Sequence, residues 1–262
     1  MMHLLHRCLY PPLFLDFSFS LFWLLSISFL LNLLEKGLAS AARMMLVFAD
    51  VPFKDTMYAV TGPDDKGNYD MSAWTDVKFK LDLDFPNLPY IMDMKTGFKI
   101  TMSKSIYRYI ARQFKIGVQD DPYLGVADMM LEMIGQVMQV ESPLTRSAPY
   151  ITLSYGSALG LFSDDEFEAK KKEYIDNMPT LLKDVENYML NKKFVTGAEI
   201  SYADFALYYL CVAHVKLDDT FLERFGNLAK FYKRFGALEG MKKWHKTEWS
   251  KLPLNNVMAK FK

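Results

Sequence analysis

Ser103, Trp74, Lys78 and the run Asn87-Leu88-Pro89 are the residues whose types and spacing could hold a ligand. Ser103 stands just ahead of Ile106, Tyr109, Ile110 and Phe114, an apolar stripe at helical spacing, so it reads as the cap of that helix. The free N–H groups and positive dipole end of such a helix favour an anion. Trp74 and Lys78 lie four apart and are expected to share one face of a short helix, an aromatic surface beside a cation. Asn87-Leu88-Pro89 fixes the backbone at the entry to a strand. Thiol and metal chemistry are poorly supplied, because Cys8 and Cys211 are the only cysteines and no CxxC is present. No metal site is expected.

Bringing those side chains together requires a chain that folds back repeatedly. Leu38 to Phe48 places Leu38, Ala42, Met45 and Leu46 near helical spacing. Met57 to Val60 is a brief apolar run closed by Gly62-Pro63-Asp64-Asp65 and reads as a strand. Ser72 to Lys80 reads as two helical turns, and Pro89 to Met92 with Phe98 to Ile100 as a hairpin turning at Gly97. Beyond Asp120-Asp121-Pro122 the strand signals stop, and long helices are expected, broken at Ser142-Pro143, Ser147-Ala148-Pro149 and Asn177-Met178-Pro179. Ser201-Tyr202-Ala203-Asp204 is the clearest helix start, the serine capping forward and the aspartate reaching back. Phe205, Ala206, Tyr209, Leu210 and Val212 follow it, which places that helix inside the second domain. The expected division is a hydrophobic segment over 1–36, an α/β domain over 37–118 and an all-α domain over 122–262.

A chain of 262 residues has room for one large domain or two small ones, and 51% hydrophobic with 24% charged residues is the composition of a packed globular protein. Lysine plus arginine equals aspartate plus glutamate, 31 against 31, so no positive surplus exists to hold nucleic acid or an acidic membrane surface. Sparse cysteine points to the cytoplasm. Phe17 to Leu34, however, runs 18 residues without a charge, close to bilayer-spanning length. With Arg7 upstream and Ala39-Ser40-Ala41 downstream it has the flanks of a secretory signal. Membrane anchoring or secretion through residues 13–34, a partly buried strand, and a segment foreign to the native coding sequence all stay open.

Several stretches together resemble the mu class of glutathione transferases: Gly37-Leu38-Ala39 with Arg43 and Leu46, Asp70 to Tyr90, Thr101 to Arg112, and Ile200 to Phe205. The run Phe85-Pro86-Asn87-Leu88-Pro89-Tyr90 ahead of the hairpin is the most specific of them. The resemblance implies a thioredoxin-like α/β first domain, an all-α second domain, a homodimer, and conjugation of reduced glutathione, a co-substrate needing no cofactor, to hydrophobic electrophiles. By the same resemblance Ser103 holds the γ-glutamyl carboxylate, and Leu88 pairs through its main chain with the cysteinyl unit beside Asn87 and a cis Pro89. Trp74 and Lys78 contact the glycyl end. Phe85 enters an apolar pocket of the partner's second domain, and Arg108 stands at the two-fold axis.

The departures fall on the same site. Met71 stands where the family has an arginine, Met102 where it has a glutamine, and the catalytic tyrosine, five residues before Gly37, falls at Asn32 with Leu33 after it. No catalytic residue is therefore assigned, and no recognisable first strand is expected. That tyrosine stabilises a thiolate which at an ordinary thiol pKa is mostly protonated. Either the chain lost it within an intact fold, or residues 1–36 derive from another exon or translation start. Two functions follow: an enzyme conjugating glutathione to hydrophobic electrophiles, its acceptor pocket adaptable through some of 17 methionines, or a non-catalytic glutathione-binding or structural relative.

Overall fold

The computed structural model describes residues 29–33, 35–138, 150–155, 157 and 161–260. The expected breaks at Ser142-Pro143 and Ser147-Ala148-Pro149 lie outside them, as does most of the segment 13–34. No helix among the described residues is long and apolar enough to cross a membrane.

A first strand exists, contrary to expectation. Phe29–Leu33 forms β1, paired in parallel with β2 (Lys54–Tyr58) and antiparallel with β3 (Tyr90–Met92). A central strand bonded on both edges need not alternate polar and apolar residues, so it hid inside a mostly apolar run; Leu30 is fully buried. β4 (Lys99–Thr101) pairs antiparallel with β3, giving the order β2-β1-β3-β4. α1 (Ser40–Phe48) crosses between β1 and β2, preceded by a 3₁₀ turn at Gly37–Ala39.

β2 begins earlier than the apolar run Met57 to Val60 suggested, because it takes in Lys54 and Asp55. Asp55 can lie there because the guanidinium of Arg43 meets it at 2.8 Å, both side chains being almost wholly buried. The two helical turns expected over Ser72 to Lys80 are separate: α2 (Ser72–Thr75) ends, and a 3₁₀ turn occupies Lys78–Lys80. Trp74 and Lys78 therefore belong to consecutive turns rather than to one helix face. α3 (Ser103–Gln113) takes in Ser103 as its first residue, so the serine is not the cap expected of it; Met102 holds that position and makes no side-chain capping bond.

The second half is helical: α4 (Asp121–Met138), α5 (Tyr150–Tyr155), α6 (Phe167–Tyr188), α7 (Tyr202–Leu217), α8 (Phe221–Arg224), α9 (Gly226–Gly236) and α10 (Glu239–His245). α6 does not break at Asn177-Met178-Pro179; Pro179 sits inside it. Proline cannot donate to the carbonyl four residues back. That carbonyl, on Ile175, instead accepts from the Arg224 guanidinium at 3.3 Å.

α7 is buried on nearly every side and packs against α1, α3, α4 and α9, so it is the shared core of both halves. The capping box forms as expected. Asp204 accepts from the N–H and Oγ of Ser201 and from the N–H of Val195, each at 2.8 Å. Deeper in α7, His214 is a neutral imidazole that donates from Nδ1 to the Leu210 carbonyl (2.8 Å) and accepts at Nε2 from the Tyr174 hydroxyl (2.9 Å). Where the halves join, Gly117 has φ +68 and faces the Ile200 carbonyl so closely that a Cβ would collide with it.

Candidate functional site

The first half raises a small aromatic platform. Trp74 is buried between Tyr58 and Tyr90, ring centroids 5.2 and 6.0 Å away, and the two tyrosine hydroxyls share a hydrogen bond of 2.9 Å. Leu81, Leu83 and Leu88 close the cluster. Desolvation, with the Tyr58 bond, holds the Tyr90 hydroxyl far above the ordinary phenol range. Lys99 of β4 fixes the adjoining loop by donating from Nζ to the Leu81 and Asp82 carbonyls at 2.9 and 3.3 Å.

Of the residues singled out from sequence, Trp74 and Leu88 belong to this cluster. The Leu88–Pro89 bond is cis, and so, without any sequence signal, is Gly62–Pro63. Asn87 Oδ1 accepts the Leu88 N–H at 2.9 Å. Lys78 has no carboxylate partner among the described residues, and it projects from the turn after Trp74. Ser103 opens α3 half-buried, straight after Met102, whose φ of +67 is rare for a residue with a Cβ. Met71 and Met102 are both exposed, so the two leave apolar surface on this half.

Behind Ser103 the halves enclose a space walled by Leu38, Tyr107, Met138 and Tyr209. Leu38, Met138 and Tyr209 also wall a larger open cleft of about 260 Å³, which adds Glu35, Tyr150, Tyr155, Asn255 and Asn256. The strand end and the C-terminal tail are laced together beside it: Lys36 N–H donates to the Pro253 carbonyl (2.8 Å) and Gly37 N–H to that of Leu254 (3.1 Å). Glu35 Oε2 accepts from the Tyr155 hydroxyl at 2.8 Å and the Asn256 N–H at 2.7 Å. Burial raises the pKa of Glu35, opposed by those donors and by Arg43. Arg43 also clamps the segment from below, donating to the Glu35 and Lys36 carbonyls at 2.8 and 3.0 Å.

Phe85 and Arg108 lie apart from this cleft's lining. Phe85 is 69% exposed on its loop and does not fold back onto its own half. Arg108 donates through Nε to Asp128 of α4 at 2.6 Å, and Tyr202 donates to the same carboxylate oxygen. Asn32 lies in β1 opposite Met57.

Sequence reasoning missed Glu35, Tyr155, the Tyr58–Tyr90 pair and the tail at Pro253 to Asn256. A charge closing a long apolar run was the available signal for Glu35. The tail carries no pattern of its own, since its partners lie on the other half of the molecule.

A small mixed sheet with a serine-led helix beside a cis-proline loop, followed by a helical half built on a buried, box-capped helix, is the glutathione transferase fold. Solved structures agree: the glutathione S-transferase Blo t 8 superposes with TM-score 0.70 at 23% identity, covering 89% of this chain and 99% of that one. A Pi-class enzyme of Onchocerca volvulus gives 0.68 at 24% identity, covering 88% and 99%. The family described as glutathione S-transferase, C-terminal domain, matches residues 155–248. Sequence relatives are closer. Glutathione S-transferase Mu 5 of Rattus norvegicus is 36% identical over 86% of this chain and 91% of its own length. Glutathione S-transferase Mu 3 of Homo sapiens is 34% identical over the same shares. The chain belongs to the mu-class glutathione S-transferases.

Proposed function

We propose that this chain conjugates reduced glutathione to hydrophobic electrophiles in the cleft between its halves, as a cytoplasmic homodimer. Residues 37–118, completed by β1, form the glutathione-binding domain, and residues 122–262 the helical domain that walls the acceptor cleft. Ser103 takes the γ-glutamyl carboxylate at the α3 N-terminus, Leu88 pairs with the cysteinyl unit beside Asn87 and Pro89, and Trp74 with Lys78 meets the glycyl end. Phe85 enters the partner's helical domain and Arg108 lies near the two-fold axis. The observation that carries the reading is the continuity of the two spaces: Leu38, Met138 and Tyr209 wall both the recess behind Ser103 and the larger, mostly apolar cleft. A tripeptide seated at the first would present its thiol toward an electrophile in the second.

One observation favours a second reading, a glutathione-binding relative without turnover: Asn32 occupies the place of the family's thiol-activating tyrosine. Passage over immobilised glutathione, then an assay with an aryl halide, separates the two. Retention with turnover is expected. Retention without turnover selects the second reading, and failure to be retained removes both. Asn32→Tyr is expected to raise the conjugation rate by about 10² to 10³, the worth of one positioned donor to a developing anion.

A further inference from the structure

Glu35 is the anomaly of the cleft. The walls are mostly apolar, yet this carboxylate is only 8% exposed and lines them beside Leu38, Tyr209 and Met138. A buried carboxylate that merely held the tail to the strand end would be redundant, since two backbone hydrogen bonds, from Lys36 and Gly37 to Pro253 and Leu254, already do so. Its nearest guanidinium attracts it without pairing with it directly: Arg43 gives its Nε to Asp55 and its Nη1 to backbone carbonyls, including that of Glu35 itself. The Tyr155 hydroxyl and the Asn256 N–H both bond to Oε2, and the Asn256 side chain gives the carboxylate a further hydrogen bond. An ionised carboxylate accepts about four bonds over its two oxygens, so one more donor can still be accommodated. The Arg43 clamp on its carbonyl fixes the segment from which the side chain projects.

A charge in low-polarity surroundings interacts far more strongly with an opposite charge than the same pair does in water. It also disfavours a second anion or an apolar group that strips its remaining hydration. We propose that Glu35 selects the acceptor, so that the cleft takes electrophiles whose apolar body carries a cationic or hydrogen-bond-donating group and rejects anionic ones. This deepens the conjugation reading above and rests on the cleft being its acceptor site. Glu35 acts here as a specificity-determining residue.

Calorimetric titration of the full chain with naphthylmethylamine, naphthylmethanol and naphthoate tests it, since the three share one apolar body and differ in charge. The amine is expected to bind about tenfold or more tightly than the alcohol, with naphthoate weakest, as a desolvated charge pair implies. Glu35→Gln should bring the amine and the alcohol to within about twofold. Tyr155→Phe, which keeps the carboxylate and removes one of its donors, should preserve the amine preference. The proposal is overturned if no probe binds, if wild type shows no amine preference, if Glu35→Gln keeps it, or if Tyr155→Phe alone abolishes it. Titration of glutathione into the same proteins keeps the two ideas apart. Glutathione binding without amine preference removes only the role of Glu35; amine preference without glutathione binding removes the conjugation reading and, with it, acceptor selection, leaving Glu35 as the charge-selecting group of an apolar ligand cleft.

Discussion

The two halves treat polar groups in opposite ways. In the helical half Asp204 and His214 are wholly buried, and every polar atom of both is spoken for, by Ser201 and Val195 on one side and by Leu210 and Tyr174 on the other. In the first half, Lys78 has no carboxylate partner among the described residues, Ser103 lies half-buried at the start of α3, and Met71, Met102 and Phe85 expose apolar surface. Closed networks hold a fold, whereas groups left open at a surface are those a ligand or partner can complete. On the reading proposed above, the residues that keep the chain folded stand apart from those that recognise a ligand or partner.

Changing Asp204 is the largest expected break of that contrast. Asp204→Asn turns an amide N–H₂ toward donors that need an acceptor, and should cost about 2 to 4 kcal/mol of stability in chemical denaturation. The same variant sharpens the pH behaviour of the core. Burial lifts the Asp204 carboxyl to about 7 and depresses the His214 imidazole to about 4. As pH falls from 7 toward 4 the native state gains stability through Asp204, which binds a proton more readily folded than unfolded, and loses it through His214, which binds one less readily. The two offset in the wild type. Asp204→Asn cannot titrate, so its stability should fall more steeply than wild type between pH 6.5 and 4, and parallel denaturation curves across that window would exclude the opposed pair.

Changes on the site face should spare the fold and cost binding instead. Phe85→Ala is expected to weaken the dimer by about 2 to 4 kcal/mol, the loss of an aromatic anchor, and to move the sedimentation profile toward monomer at micromolar concentration with an unchanged melting curve. An unaltered profile would place the interface elsewhere. The smallest effect is expected at Ser103. Ser103→Ala should weaken glutathione by about 1 to 3 kcal/mol, one hydrogen bond to a charged group, and unchanged calorimetric affinity would show that the carboxylate is held at another place.

Local element signals were more legible in sequence than features that depend on remote partners. The Ser201 to Asp204 box is a short, local pattern and α7 starts where that pattern puts it, while α3 begins one residue earlier than a Ser103 cap would give. What stayed hidden depended on partners remote in sequence. β1, Phe29-Leu30-Leu31-Asn32-Leu33, shows no regular alternation of polar and apolar residues, so the same letters suit a strand, a buried helix or a membrane span. Asp55 looked wrong for a strand until Arg43 supplied its charge partner, and Pro179 looked like a helix end until Arg224 supplied a donor for Ile175. Glu35 belongs to the cleft only because the tail and α5 reach across from the other half.

The position of β1 also sets an order of events. The small-residue run Ala39-Ser40-Ala41, where a signal peptidase could cut, is fully buried in the folded chain, and β1 lies just ahead of it with strands on both sides. Were residues 13–34 a secretory signal, cleavage at that run would therefore exclude completion of this sheet. A protease reaching it first would remove the strand between β2 and β3 and leave both their inner edges unpaired, while a chain that folds first puts the cut beyond reach.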